Sequence, residues 1–556
     1  MQGRTDPLMR PMLIMGACLA FQLPLAAQQA NLSRNLEPVI IRGDAFAELN
    51  AAPLNELFVF SYSQGDSSWH QIPFQIDEVG SNGSASGFFI ADDGLLDADD
   101  ELLFMTMDGG DRADSSWIAD EGSQSHDRYE IEIVNPLAPE EKEWVYLYRS
   151  TTLMADSNLV DYVDWFPSQT SSAGEDTVRS LFYEIAHGRS GLPKDLSITA
   201  EGGGNGQDLV DALKFRASIS AFGLTLPLTE DRIDFVASAD DSVRTIDGRI
   251  RIIRELEASL NIPLIPAIAF RTPPLFYYPH SCVFDIAIPD LSGLPVTANI
   301  QSGRLSIDLN QNASGMGFLS ANNNYDITVD GSPDTPDLQI DNVLPDGNWV
   351  FIGGDQGSIV HLFPIAPTVA GTRLLYYKDD NSTDSGDTGD EMSYGDTGID
   401  LMGGIDPPVV FSYRGYFLSA NQSGTIAAEI AGFESNALTT NALTQTFGAV
   451  TSVRRVGSGD LPGSFSLFAN YPNPFNPATE IRYRLSQTDG SATVLRIYNL
   501  LGQEIRTLVN QVQSAGVYAV TWDGKDNLGR SVSSGVYIYR LQANGLTQSR
   551  KMLLVK

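Results

Sequence analysis

Glu480-Ile481-Arg482-Tyr483-Arg484-Leu485 alternates charged and apolar side chains, which puts Ile481, Tyr483 and Leu485 on one face of a half-buried strand. Asp489-Gly490 supplies a turn, Ala492 to Tyr498 reads as a second strand, and Asn499-Leu500-Leu501-Gly502 as another reversal. Ile505, Leu508 and Val509 continue the apolar surface. Tyr518, Val520 and Trp522 share a face of the next strand, which stops at Asp523-Gly524. A polar reversal from Lys525 to Arg530 leads through Ser534-Gly535 into Val536-Tyr537-Ile538-Tyr539-Arg540-Leu541. The sum, about seven short strands, has the turn density of an immunoglobulin-like β-sandwich. Upstream, Pro472, Pro474 and Pro477 fix φ and remove three backbone donors. Asn470 to Pro477 is therefore expected as an extended lead-in, unable to form a central strand.

The order of motifs over residues 465–556 resembles the type A C-terminal sorting domain of the type IX (Por) secretion system of Bacteroidetes and related Gram-negative bacteria. The resemblance is carried by Tyr471, Pro472, Asn473, Pro474, Phe475, Asn476 and Pro477, by Ile497-Tyr498-Asn499-Leu500-Leu501-Gly502, and by Trp522, Asp523 and Gly524. It continues in Ser534-Gly535-Val536-Tyr537 and in the closing run from Lys551 to Lys556. The segment is similar, too, to the immunoglobulin-like module of flagellar hook-capping proteins, which shares the fold without the export role. Resemblance to the sorting family implies the type IX machinery as partner and passage across the outer membrane. Release or attachment to surface lipopolysaccharide would follow, so the expected location is extracellular or the outer-membrane surface.

At the other end, Arg4 and Arg10 precede an apolar stretch from Pro11 to Ala27 that Gln22 and Pro24 interrupt. This is the outline of a secretory signal peptide over residues 1–27. The run is shorter than the about 20 clean apolar residues needed to span a bilayer, so no transmembrane segment is expected in the mature chain. A lipoprotein reading at Cys18 is weak, because the apolar segment continues beyond it. Removing the signal leaves Cys282 alone, so no intramolecular disulfide forms. A buried structural thiol is the reading for Cys282, since nothing local would activate it.

The formal net charge is -35 and unevenly spread: residues 461–556 hold ten Lys/Arg against five Asp/Glu, leaving 25 against 65 before them. An acidic body repels nucleic acid and anionic head groups, which excludes a nucleic-acid reader or a polybasic membrane binder. Solubility and divalent cation binding are the compatible roles.

Between the ends, strand-like runs recur at Pro38 to Ile41, Leu57 to Phe60, Tyr129 to Ile133 and Trp144 to Tyr148. Others follow at Leu213 to Ile219, Arg249 to Glu255, Cys282 to Ile288, Leu305 to Leu309, Trp349 to Ile352 and Thr372 to Tyr377. No sustained helical period or fixed repeat appears. The reading is all-β and multidomain: an N-terminal β-sandwich at 28–154, a larger β-rich region or pair of sandwiches at 155–450, a linker at 451–464 and the immunoglobulin-like module at 465–556.

Three places in the body invite chemistry. Gln75-Ile76-Asp77-Glu78 with the run from Asp92 to Glu101 offers alternate carboxylates around a glycine, a pattern that can wrap calcium with oxygen ligands. Its candidate ligands are Asp92, Asp93, Asp97, Asp99 and Asp100, though the spacing is not that of an EF-hand and an acidic hairpin loop is the alternative. The run from Lys378 to Glu391, with Asp396 and Asp400 beyond, has the composition of a calcium loop or of a solvated one. Glu201-Gly202-Gly203-Gly204-Asn205-Gly206 superficially suggests a phosphate cradle but lacks the Gly-Lys-Ser/Thr ending, so it reads as a turn.

The five histidines are scattered, and neither His-Glu-x-x-His nor Gly-x-Ser-x-Gly occurs. His187-Gly188-Arg189-Ser190 with a distant Asp could assemble a triad in space. Trp69, Trp117, Trp144, Trp165 and Trp349 are either core or a sugar-stacking platform. No catalytic residue or cofactor other than calcium is assigned. The leading reading is a non-catalytic secreted or surface β protein for binding, adhesion or envelope architecture, extracellular glycan being one partner. The alternative is a surface-displayed polysaccharide hydrolase or lyase, which requires a groove with two facing carboxylates and exposed aromatics.

Overall fold

A computed structural model describes residues 28–556, apart from 81–86, 90–92, 114–115, 168–175, 189–190, 222–223, 230–232, 236–242, 261–267, 289–297, 346, 365–370, 383–391, 406–408, 448–453, 458–464, 486–491, 514–515, 528–529 and 544. The chain is all-β and multidomain, built of antiparallel sheets packed as sandwiches. Residues 1–27, where the signal peptide is read, lie outside the described residues. Among the described residues no helix is long and apolar enough to cross a membrane.

The first sandwich packs the three-stranded sheet Pro38–Arg42, Glu101–Met105, Gln75–Asp77 against a five-stranded one. The larger sheet runs Thr439–Gln445, Arg128–Val134, Lys142–Arg149, Leu57–Ser63, Ser68–Gln71. Val39, Ile41, Leu102 and Phe104 meet Val59, Ile131, Val145 and Leu147 between the sheets. The opposite face of the larger sheet is buried as well. There Phe58, Phe60, Trp144, Tyr146 and Tyr148 pack with Trp69 and Trp117. Such two-sided burial explains why Lys142–Arg149 reads as an almost continuous apolar run rather than an alternating one. Residues 439–445, grouped by sequence with the second region, supply this sheet's edge strand through seven register pairs with Arg128–Val134.

The central region places the sheet Leu224–Thr229, Val210–Ala221, Ala298–Leu309, Ser393–Ile405, Thr372–Asp380 over an eleven-stranded sheet that includes Ser281–Ile288, Val409–Leu418, Gly357–Leu362 and Val350–Gly354. Leu213, Phe215, Ile307 and Ile399 from one sheet meet Phe284, Phe411, Tyr413 and Phe417 from the other. A four-stranded sheet from Val163 to Ile198 adds Val178, Ile185 and Leu196 to the same core. The helix Thr425–Ser435 lies on the far face of the eleven-stranded sheet, burying Ala427, Ile430 and Ala431 against Phe351, Val360, Leu362, Tyr416 and Leu418. Buried Arg34 closes that helix: its guanidinium donates to the Phe433 and Asn436 carbonyls at 3.2 and 2.8 Å, a cation where the helix dipole is negative.

One fully buried cation joins the first two bodies. Arg251 Nε donates to Asp77 Oδ2 and its Nη2 to Glu101 Oε2, each at 2.6 Å. Gln75 completes the joint, its Oε1 accepting from the Ile250 and Arg251 amides at 2.8 and 2.9 Å.

The C-terminal module pairs two four-stranded sheets, one ordered Arg454–Gly457, Gly516–Trp522, Thr479–Leu485, Ser466–Leu467 and the other Glu504–Val512, Ala492–Tyr498, Gly535–Ala543, Leu546–Leu554. Ile481, Tyr483, Leu485, Tyr518, Val520 and Trp522 are all buried on its inner face, as the alternation requires. Residues 454–457, expected in the linker, form an edge strand on Gly516–Trp522.

Candidate functional site at one end of the C-terminal sandwich

The proline-rich lead-in cannot donate enough N–H groups to join a sheet, so it runs along one and is fastened at intervals. Tyr471 and Glu480 exchange both backbone bonds at 2.9 Å. Asn470 Nδ2 donates to the Pro472 carbonyl at 3.1 Å and to Thr479 Oγ1 at 2.9 Å. Phe475, the only buried residue between Tyr471 and Pro477, then docks on the last strand: its N–H donates to the Leu553 carbonyl, and the Val555 N–H donates back to its own, both at 3.0 Å. Asn473 Oδ1 accepts from the Leu553 amide at 2.9 Å.

Beneath this seam the Phe475 ring meets Trp522 at 5.6 Å, and Trp522 meets Tyr537 edge-on at 5.1 Å. Trp522 is 0% exposed and satisfies its indole N–H on the Lys525 carbonyl at 2.9 Å. Tyr537 donates its hydroxyl to the Ser533 carbonyl at 2.7 Å. Gly524 holds φ +73, and a Cβ there would stand 3.0 Å from the Pro477 carbonyl oxygen, so glycine suits both the turn and the approach of the lead-in. Gly535 pairs with Leu554, and Lys551 lies opposite Ile538 on the exposed face. Asp523 caps the turn, its carboxylate accepting from the Lys525 amide at 3.2 Å. Pro472, Pro474, Asn476 and Pro477 stand exposed around buried Phe475.

Motif residues scattered over some eighty positions thus build one end of the sandwich. Four apolar residues are exposed at that end, Tyr471 at 81% with Leu553, Val555 and Val536, among polar ones such as Asn473, Ser534 and Lys556. Lone exposed apolar residues need no explanation; four beside one seam are a candidate docking surface.

In the body, the acidic run is largely consumed by its own loop. Asp100 accepts from the Val79 amide at 3.0 Å and the Asp97 amide at 2.6 Å, Asp93 from the Leu95 amide at 3.0 Å, and Glu78 from the Gly94 amide at 3.0 Å. Asp99 pairs with Arg42, and Asp97 is exposed. Asp92 lies outside the described residues, as do 383–391 of the second acidic run. Among the described residues no three His, Cys, Asp or Glu gather as a metal set. Gln75, Asp77 and Glu101, the flanks of the first run, hold Arg251 instead.

The glycine-rich stretch is a tight turn whose amides are already used: Gly202 donates to Thr199 Oγ1, Gly203 to the Ala200 carbonyl, Gly204 to Thr199 and Gly206 to Ile198. His187 does find an acid, with Nδ1 3.0 Å from Asp176 Oδ1 and Nε2 2.7 Å from the Tyr277 hydroxyl. Two members of this triad-like row are sealed in the core, His187 and Tyr277 both being 0% exposed, while Asp176 is half-buried, and burial pushes His187 down to about 4. Ser190 is outside the described residues. His280 and His361 are buried elsewhere, at about 4 and about 3 for the same reason. Cys282 is a buried free thiol whose pKa burial drives up. Trp69 and Trp117 frame Arg128, which sits 5.4 and 4.5 Å from their rings, and Trp144 is buried. Trp144 is core, and Trp69 and Trp117 are half-buried and packed against the same cluster.

Comparison with known families matches residues 475–546 to the FlgD Ig-like domain. No curated protein matches the sequence. Among solved structures, a glycosyl hydrolase family 38 protein from Enterococcus faecalis is similar at 8% identity over 90% of this chain and 58% of that one, with TM-score 0.39. An alpha-mannosidase from Enterococcus faecalis V583 shares 8% identity over 88% and 53%, with TM-score 0.33. Dimeric latent PorU from Porphyromonas gingivalis shares 11% over 74% and 35%, with TM-score 0.15. The chain spans little more than half the length of the first two.

Proposed function

We propose that this chain is an exported β protein whose C-terminal module is its address for type IX secretion and whose body serves binding or envelope architecture at the cell surface. The observation that carries the reading is the convergence of Asn473, Phe475, Trp522, Gly524, Tyr537 and the closing strand on one end of the sandwich. A recognition element read by a transport machine needs a rigid, exposed surface. Buried aromatics pinned by satisfied hydrogen bonds supply the rigidity, and Tyr471, Leu553 and Val555 the exposed contact. The N-terminal segment supplies the first membrane crossing. A binding rather than catalytic body is supported by the burial of His187 and Tyr277 in the core and by acidic groups spent on loops and on Arg251. The test is deletion of residues 465–556 in a host with type IX secretion, expected to leave a folded body in the periplasm. Surface display of the truncated chain at the normal level would overturn the assignment.

A further inference from the structure

A cleft of about 290 Å³ opens beside the helix Thr425–Ser435, near the small end of the range of roughly 300–1,000 Å³ for ligand sites. Two arginines stand on its polar side, on a body with 65 acidic and 25 basic residues before position 461. Arg373 and Arg414 both line it, together with Glu434 and Asn348, while Leu362 and Ala431 give it an apolar wall.

Glu434 organises this group. One of its oxygens accepts from the Tyr416 hydroxyl, and the other lies 3.3 Å from Arg414 Nε. Glu434 thereby fixes the Nε edge of the guanidinium. Among the described residues the Arg414 side chain makes no other ion pair or hydrogen bond, and it lines the cleft. The far rim is equally fixed, since Asn348 Nδ2 donates to the Phe363 carbonyl at 3.1 Å and its Oδ1 accepts from the Phe363 amide at 3.2 Å. A planar guanidinium held by one edge recognises a carboxylate with the other, and an apolar wall next to it suits the face of a small ring.

We infer that this cleft binds a carboxylated sugar of the uronic-acid class, at a chain end or as a free monosaccharide. The inference rests on the binding role proposed for the body and not on its export route, and it is tested on purified protein. Residues 28–556 are titrated by calorimetry and ligand-observed NMR with glucuronate, galacturonate, glucose, galactose and inorganic phosphate. A uronate is expected to bind in preference to its neutral sugar and to phosphate. Arg414→Ala and, separately, Arg373→Ala should each weaken it about tenfold or more, with unchanged circular dichroism and melting temperature. Equal binding of glucose and glucuronate, stronger binding of phosphate, no binding of any probe at millimolar concentration, or an affinity indifferent to both substitutions would each overturn the inference. Failure here leaves the deletion test of export untouched.

Discussion

Replacing Glu143 by Gln should stabilise the protein at alkaline pH, because Glu143 is held where a carboxylate is costly. It lies on the strand Lys142–Arg149, is 5% exposed, and packs so closely on Gly109 that a Cβ there would stand 2.3 Å from its Cδ. Among the described residues neither its Oε1 nor Asp108 Oδ2 has a hydrogen-bond partner. Burial, then the neighbouring Asp108 charge, lifts Glu143 to about 8, and burial lifts Asp108 to about 6 against a hydrogen bond from Tyr162. Both folded values exceed the unfolded ones, so the native state binds more protons. The contribution is fully present below the unfolded pKa near 4.5 and is lost as pH rises towards about 8. At about 1.4 kcal/mol per unit, the window from pH 5 to pH 8 amounts to about 3–4 kcal/mol before relaxation of the site. Glu143→Gln keeps the shape and removes the titration. Urea unfolding at pH 5, 6.5 and 8, read by hydrogen exchange in peptides covering residues 101–108 and 142–149, should show a decline in the parent that is smaller by about 2–3 kcal/mol in the variant. Parallel pH profiles for the two proteins, or a variant less stable than the parent at pH 8, would refute the reasoning.

Two further outcomes follow from buried contacts. Arg251→Met should cost about 3–5 kcal/mol by stranding Asp77 and Glu101, with hydrogen exchange rising in residues 75–77 and 250–255 together; adding Asp77→Asn should recover part of the loss, and strictly additive effects would count against the joint. Phe475→Ala should cost the C-terminal module about 3–5 kcal/mol and expose the Leu546–Leu554 strand to proteolysis while the body stays resistant; an unchanged cleavage pattern would show that the seam does not hold that strand.

The module was legible because its strands alternate cleanly and its turns carry Asp-Gly and Asn-Leu-Leu-Gly signals close in sequence. What escaped reading depends on distant partners. Thr439–Gln445 has the polar sequence TTNALTQ, with no apolar alternation to mark a strand, and is fixed by pairing with Arg128–Val134. Arg454–Gly457 is too short to signal itself and is likewise defined by its neighbour. Gln75-Ile76-Asp77-Glu78 looked like part of an anionic loop because its cation, Arg251, lies 174 residues from Asp77. The cleft gathers side chains from positions 344 to 435, none of which forms a local motif. Cys282 and the buried tryptophans followed the general preference of such residues for the core.

The late return of Thr439–Gln445 to the first sandwich sets a schedule for synthesis. Thr439 lies 305 residues after Val134, whose strand it covers. At about 5–20 residues per second, the open edge of Arg128–Val134 waits roughly 15–60 s for its partner to be made. Until then the amino-terminal body is an unfinished sheet with unpaired N–H and C=O groups along one side, able to pair with any other strand. A chain of this design completes its first sandwich only after the strands of the central region. Its open edge is therefore available to chaperones throughout the synthesis of the central region, and closes only once that region's strands have been made.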